Sequence, residues 1–335
     1  MKSIAFFNNK GGLDQTSLVY HLGWKFADLG YRVLMVDLDP QSNLTRMSIH
    51  FEFDIDEQWG ELQSRSLYHS VKTLMEKGTD DIKIFEPEVI DDERLLYLLP
   101  GDLDLSRLED ELSVQWTKSL DGNERALRVV TAFYRVIQET ANQNNIEIVL
   151  IDIGPNLGAI NRCALIASDF VITPLTPDLY SLQGLESTGP ALIRWRKDWD
   201  LKKSQSPSDL NFKLPEARME PLGYVITRRS LRIDRPIKAY ENWINQMPRL
   251  YWERLLARPP TEDMAEMEPF RLATLKDNSF LTEMAQEAHV PMFNLRSGHG
   301  AYGSFVYLVQ RVDADFKALA ETIRDRIHLP PPRDD

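Results

Sequence analysis

The stretch Asn8-Asn9-Lys10-Gly11-Gly12-Leu13-Asp14-Gln15-Thr16-Ser17 constrains this chain more than any other feature. It follows the apolar run Ile4-Ala5-Phe6-Phe7. It leads into a segment with Leu18, Leu22, Phe26 and Leu29 at helical spacing, stopped by Gly30. A strand, a glycine-bearing turn and a helix in that order read as a phosphate-binding loop, because backbone N–H groups at a helix N-terminus converge on an anion. Such a loop ordinarily ends in Gly-Lys-[Ser/Thr], the lysine facing the β- and γ-phosphates and the hydroxyl binding Mg²⁺. Here Asp14 and Gln15 stand where glycine and lysine belong, while Lys10, the paired glycines and Thr16 remain.

Four further segments support the loop. Val33 to Asp39 is a β-rich run closing on the carboxylates Asp37 and Asp39, followed by Pro40-Gln41. Ile148 to Ile153 contains Asp152 and runs into Gly154-Pro155. Phe170 to Pro174 and Gly223 to Thr227 are two more runs of this kind. Apolar, β-branched runs without polar alternation fit strands buried on both faces of a parallel sheet. Acids at their carboxyl ends then meet in the crevice where open α/β sheets bind ligands. The expected fold is α/β, a doubly wound, mostly parallel sheet flanked by helices.

Lys10-Gly11-Gly12, Asp37-Leu38-Asp39-Pro40-Gln41 and Asp152-Ile153-Gly154-Pro155-Asn156-Leu157-Gly158 together resemble the ParA/MinD family of deviant Walker-type ATPases. The resemblance continues through Leu98 to Leu105, Ala164 to Asp169 and Thr176 to Leu185, in family order. It spans about residues 1 to 230, has a weaker echo at Phe316 to Ile327, and fits the ParA branch better than MinD. It implies an ATP/ADP site with Mg²⁺, lined by Lys10, Gly11, Gly12, Leu13, Asp14, Gln15, Thr16 and Ser17. It also implies a homodimer in which Lys10 reaches the partner's phosphates. By the same resemblance, Asp39 would orient the attacking water, and Thr16, Asp39 and Asp152 would serve the metal. Gln15 removes the cation facing the phosphates and Asp14 adds a carboxylate to their cradle. Charge-assisted hydrogen bonds are about twice as strong as neutral ones, and phosphoryl transfer depends on them, so weak or absent hydrolysis is expected.

With 335 residues, 43% hydrophobic and 27% charged, the chain can bury a large core. We expect one ParA-like domain over 1–335, with a variable insertion at about 51–93 carrying one helix-like piece at Ser66 to Lys77, and a divergent helical region at about 231–295. Long helices are expected at Asn123 to Asn145, Asp178 to Lys203 and Asp313 to Ile327, and a surface loop at Ser204 to Arg218. Trp243, Met247, Tyr251, Trp252 and Leu255 form a stripe that is either core or a docking face. The glycine-rich run Arg296 to Gly303 either closes near the adenine or is a flexible loop.

The single Cys163 excludes a disulfide framework, favours a reducing compartment and reads as core. The six histidines show no metal-ligand spacing. No segment has transmembrane length and the proline-rich tail does not suit an amphipathic anchor, so a cytoplasmic protein is expected. A formal charge of -12 opposes general affinity for nucleic acid. Two segments run against it: Arg194, Arg196, Lys197, Lys202 and Lys203, with Trp195 and Trp199 interleaved, and Arg228, Arg229, Arg232, Arg235 and Lys238. Together they are either a patch for non-specific DNA binding or a solvated face. Three functional readings stay open: a nucleotide-dependent dimerisation switch that positions DNA or protein cargo, a pseudo-ATPase scaffold, and an altered form of an active ATPase.

Overall fold

The structure is a computed structural model that describes residues 1–10, 15–51, 55–77, 79, 82–227, 237–276 and 278–332. Its strands are β1 (Lys2–Phe6), β2 (Val33–Leu38), β3 (Glu88–Asp91), β4 (Leu96–Leu99), β5 (Ile148–Ile153), β6 (Phe170–Leu175), β7 (Glu220–Thr227) and β8 (Arg271–Leu275). They form one sheet in the order β3-β4-β2-β5-β1-β6-β7-β8. Every pairing is parallel except β3 with β4. β2, β5 and β6 are buried along their whole length.

Alternation along the buried strands feeds two cores. Val33 and Met35 pack with helices Gln15–Asp28 and Ser304–Arg326 on one face. Leu34 and Val36 pack on the other with Leu67–Lys77, Ala132–Gln143, Ala159–Ile166 and Leu179–Gln205. The chain leaving β1 goes to β2 on one side, and the chain leaving β5 goes to β6 on the other. That reversal opens a crevice at the carboxyl ends of β1 and β5, the position where doubly wound sheets bind ligands.

Several elements differ from expectation. The helix expected over Asn123 to Asn145 is two, Glu124–Val130 and Ala132–Gln143, because Thr131 adopts a non-helical φ of -98 and ψ of 5 and its hydroxyl donates to the Leu127 carbonyl at 2.7 Å. The 51–93 segment holds Ile55–Ser64 as well as Leu67–Lys77. The last helix starts at Ser304, not Asp313, directly after Gly303 at φ 57. The Trp243 to Leu255 stripe is core: Met247, Tyr251 and Leu255 are buried against Leu175, Leu185, Tyr224 and Ile226. Cys163 is buried, and burial pushes its thiol up to about 12. Among the described residues no helix is long and apolar enough to cross a membrane.

Candidate nucleotide site

Gln15 begins the helix after β1 and its side chain turns toward the end of β5. Its Nε2 donates to Asp152 Oδ1 at 3.0 Å and to the Ile153 carbonyl at 2.5 Å. The Thr16 side chain also hydrogen-bonds Asp152. The other carboxylate oxygen, Asp152 Oδ2, is buried with no partner. Gly11, Gly12, Leu13 and Asp14 lie outside the described residues.

Asp37 is the register partner of Asp152 on the neighbouring parallel strand, so their side chains share a face about 4.8 Å apart. Its Oδ2 accepts the Thr45 N–H at 2.8 Å and the Thr45 hydroxyl at 2.7 Å. Its Oδ1 accepts the Asp39 N–H at 3.2 Å. Thr45 Oγ1 in turn accepts the Gly101 N–H at 2.8 Å. Gly101 is needed there, since a Cβ would sit 2.7 Å from Asp37 Cγ. Asp39 is 8% exposed and its Oδ1 accepts the Gln41 N–H at 3.0 Å.

All three carboxyls are raised above the ordinary range. For Asp37 burial is the main cause, followed by the charge of Asp152. For Asp152 burial leads; hydrogen bonds from Gln15 and Thr16 oppose it and the charge of Asp39 adds to it. Asp39 is raised by burial and pulled back by the Gln41 N–H. Asp37 and its Thr45 to Gly101 relay were not assigned roles from sequence. The available signal was alternation, which puts Asp37 on the same face as Val33 and Met35, under the helix that Gln15 begins.

Lys10 is held within its own chain. Its Nζ bonds Asp178 Oδ2 at 2.5 Å, Thr176 Oγ1 at 2.8 Å and Ser181 Oγ at 3.4 Å. The same Asp178 caps the long helix Leu179–Gln205 by accepting the Ser181 N–H at 2.8 Å. The Lys10 ammonium, with help from the Ser181 N–H and Thr176, outweighs partial burial and leaves the Asp178 carboxyl below its ordinary range.

A cavity of about 880 Å³ opens beside the start of the Gln15 helix. Thr16, Ser17, Arg46, Thr227, Lys276 and Asn278 are among its walls. The glycine-rich run 296–303 is not part of that lining; residues 275–292 supply the wall where it was expected. His21 braces the floor: Nδ1 donates to the Ser17 carbonyl at 2.6 Å, and Nε2 accepts the Met292 N–H at 3.1 Å. This fixes a neutral tautomer, and burial lowers its pKa to about 4.

The residues suit a Mg²⁺-nucleotide. An unpartnered buried carboxylate oxygen beside the Thr16 hydroxyl needs a cation or a proton. Among the described residues no three His, Cys, Asp or Glu side chains enclose a metal by themselves. Mg²⁺ takes one or two carboxylates and completes its shell with water and phosphate oxygens, a set to which Asp152 and the Thr16 hydroxyl can contribute.

The basic segments fare unevenly. Arg194 and Lys197 are exposed and Arg196 is half-buried. Lys202 must be removed from the patch: it is buried, and its Nζ donates to the Trp116 carbonyl at 2.6 Å. Trp195 and Trp199 are core as well. Lys203 is paired with Glu216 at 2.8 Å. Arg228, Arg229 and Arg232 lie outside the described residues.

The family model AAA_31, described as an AAA domain, matches residues 1–199. Over 184 residues the chain is 30% identical to the sporulation initiation inhibitor protein Soj of Bacillus subtilis, a match covering 55% of this chain and 62% of Soj. Across 98% of this chain and 99% of the other, the fold is similar to protein DIP2308 from Corynebacterium diphtheriae, at TM-score 0.71 and 19% identity. It is also similar to a substituted form of McdA from Cyanothece in complex with ATP, at TM-score 0.62 and 15% identity, over 100% of this chain and 99% of that one. The chain belongs to the AAA domain family and is a P-loop ATPase of the ParA/MinD type.

Proposed function

We propose that this chain is a ParA-like switch. It binds ATP or ADP with Mg²⁺, dimerises face to face in response, positions or partitions a DNA or protein cargo, and hydrolyses ATP weakly or not at all. The observation that carries this reading is the carboxylate group Asp37, Asp39 and Asp152 at the carboxyl ends of β2 and β5, with one oxygen of Asp152 buried and unpartnered beside Thr16. It adjoins a cavity large enough for a nucleotide. Thr16 and Asp152 would hold the metal with Asp39 close by, and the N–H groups opening the Gln15 helix would meet phosphate oxygens. Bound Mg²⁺ supplies charge neutralisation. Asp39 is placed to orient water, and Asp152 to keep Thr16 aimed at the metal. Weak hydrolysis follows from Gln15, whose neutral amide is spent on Asp152 and Ile153. The ParA-type family membership supports the positioning role.

The scaffold reading draws on a different observation: Lys10 is neutralised by Asp178 in its own protomer, as expected of a chain that no longer exchanges it with a partner. Calorimetric titration of nucleotide-stripped protein separates the two. Mg-dependent ATP binding with ATP-induced dimers in light scattering supports the switch. No heat and no thermal stabilisation at millimolar Mg-ATP leaves the scaffold. The domain plan belongs to the same proposal: a single unit over 1–335, with 51–93 as a variable insertion and 231–295 as a divergent helical region.

A further inference from the structure

The loop of this protein has lost its cation, and the replacement lies elsewhere in the same cavity. Asp14 and Gln15 bring no positive charge, and Gln15 is turned onto Asp152. Lys10 is committed to Asp178. Two cations remain in the wall that also contains Thr16 and Ser17, namely Arg46 and Lys276.

Arg46 is the one with a prepared position. Its backbone follows Thr45, whose N–H and hydroxyl are both fixed to Asp37 and whose oxygen holds the Gly101 N–H. The base of the side chain is therefore tied to the carboxylate group that would meet the metal. Its guanidinium lies 4.8 Å from the ring centroid of Trp59, on helix Ile55–Ser64. Among the described residues it forms no ion pair with a carboxylate. A guanidinium on an aromatic face stays charged, loses little freedom on binding, and presents a planar fork that fits phosphate oxygens. Lys276, exposed like Arg46, follows β8 without a comparable brace.

We propose that Arg46, set on Trp59, supplies the positive charge for the phosphate chain of a nucleotide in this cavity, in place of the lysine missing at position 15. The inference rests on the nucleotide-binding reading above and adds a role for the 51–93 segment, since Trp59 belongs to it.

The test compares ADP, ATP and adenosine on the full chain and on Arg46→Ala, Arg46→Lys and Trp59→Ala, using calorimetry for the nucleotides and ligand-observed NMR for adenosine. Hydrogen bonds to charged groups are among the strongest in proteins, so Arg46→Ala should weaken ADP and ATP on the order of tenfold or more. Adenosine, which has no phosphate, should bind equally to both. Arg46→Lys should recover part of the loss, Trp59→Ala should fall between, and the salt dependence of ATP binding should flatten in Arg46→Ala. Unchanged ATP affinity in Arg46→Ala overturns the assignment alone. So does an equal loss for adenosine and ATP, which would make Arg46 part of the nucleoside wall. A natural chain that binds none of the three overturns the switch reading and this assignment with it.

Discussion

The buried carboxylate pair makes a quantitative prediction that needs no nucleotide. Asp37 and Asp152 are register partners, fully buried, with raised pKa values. Two unit charges about 5 Å apart at an effective dielectric of about 20 repel by roughly 3 kcal/mol. The native state therefore holds a proton that the unfolded chain releases near its ordinary carboxylate pKa. Because the folded values lie above the unfolded ones, the pair's contribution to stability is full in acid and falls as pH climbs from about 4 towards neutrality. Asp152→Asn removes one charge and keeps an oxygen for Gln15, so the part of this slope that comes from mutual repulsion should vanish, while burial still raises Asp37. At roughly 2.1 cal/mol/K of unfolding entropy per residue, about 3 kcal/mol corresponds to about 4 °C in Tm for a chain of this length. Calorimetric scans at pH 5.5 and pH 8, without Mg²⁺, should show a natural chain whose Tm drops by about 4 °C more than that of the variant. Equal drops in the two proteins would refute the shared-proton argument.

Steady-state ATP hydrolysis should lie near the detection limit and recover in part when Asp14→Gly is combined with Gln15→Lys; phosphate release by the unaltered chain at a rate typical of an active ParA would contradict this. Lys10→Ala should abolish any ATP-dependent dimer seen by light scattering, and a dimer that survives the substitution would remove Lys10 from the interface. His21→Ala breaks the bridge between the Ser17 carbonyl and the Met292 N–H, and should cost about 2–4 kcal/mol by denaturant titration. The natural chain should also lose stability as pH falls from 6.5 towards 4, where His21 must charge, a loss that a His21→Ala chain should lack. If Arg194 and Lys197 contact DNA, charge reversal at both should weaken duplex binding whatever its sequence, and that binding should fall steeply with salt.

Most of the parallel sheet was legible because β1, β2, β5, β6 and β7 are buried apolar runs, and burial on both faces leaves that mark in composition. β3, β4 and β8 were not: Leu96–Leu99 is apolar but only four residues long, and the other two mix polar with apolar residues. Glu88–Asp91 is flanked by carboxylates and Arg271–Leu275 carries Arg271 and Thr274, and both lie at the edges of the sheet. Charge counts misled at Lys202 because a count carries no direction. A lysine seven residues after Trp195 and three after Trp199 shares their helical face, so it was positioned for the interior from the start.

The site was legible as a set of residue types, but its wiring depends on neighbours brought together by the fold. Gln15 reads from sequence as a loss, a cation replaced by an amide. In the folded chain it is also a gain for the apo protein, since the amide donates to Asp152 and Ile153. A lysine at position 15 that turned to phosphate would leave Asp152 with fewer donors. A buried carboxylate without donors costs stability unless a metal or a proton arrives. The substitution thus moves stabilisation from the nucleotide-bound state to the empty one. Lys10 follows the same logic, because Asp178 neutralises it before any partner's phosphate can. Both contacts favour the empty chain, so ligand binding must overcome them, and a cation from outside the loop, as proposed for Arg46, would offset part of that cost.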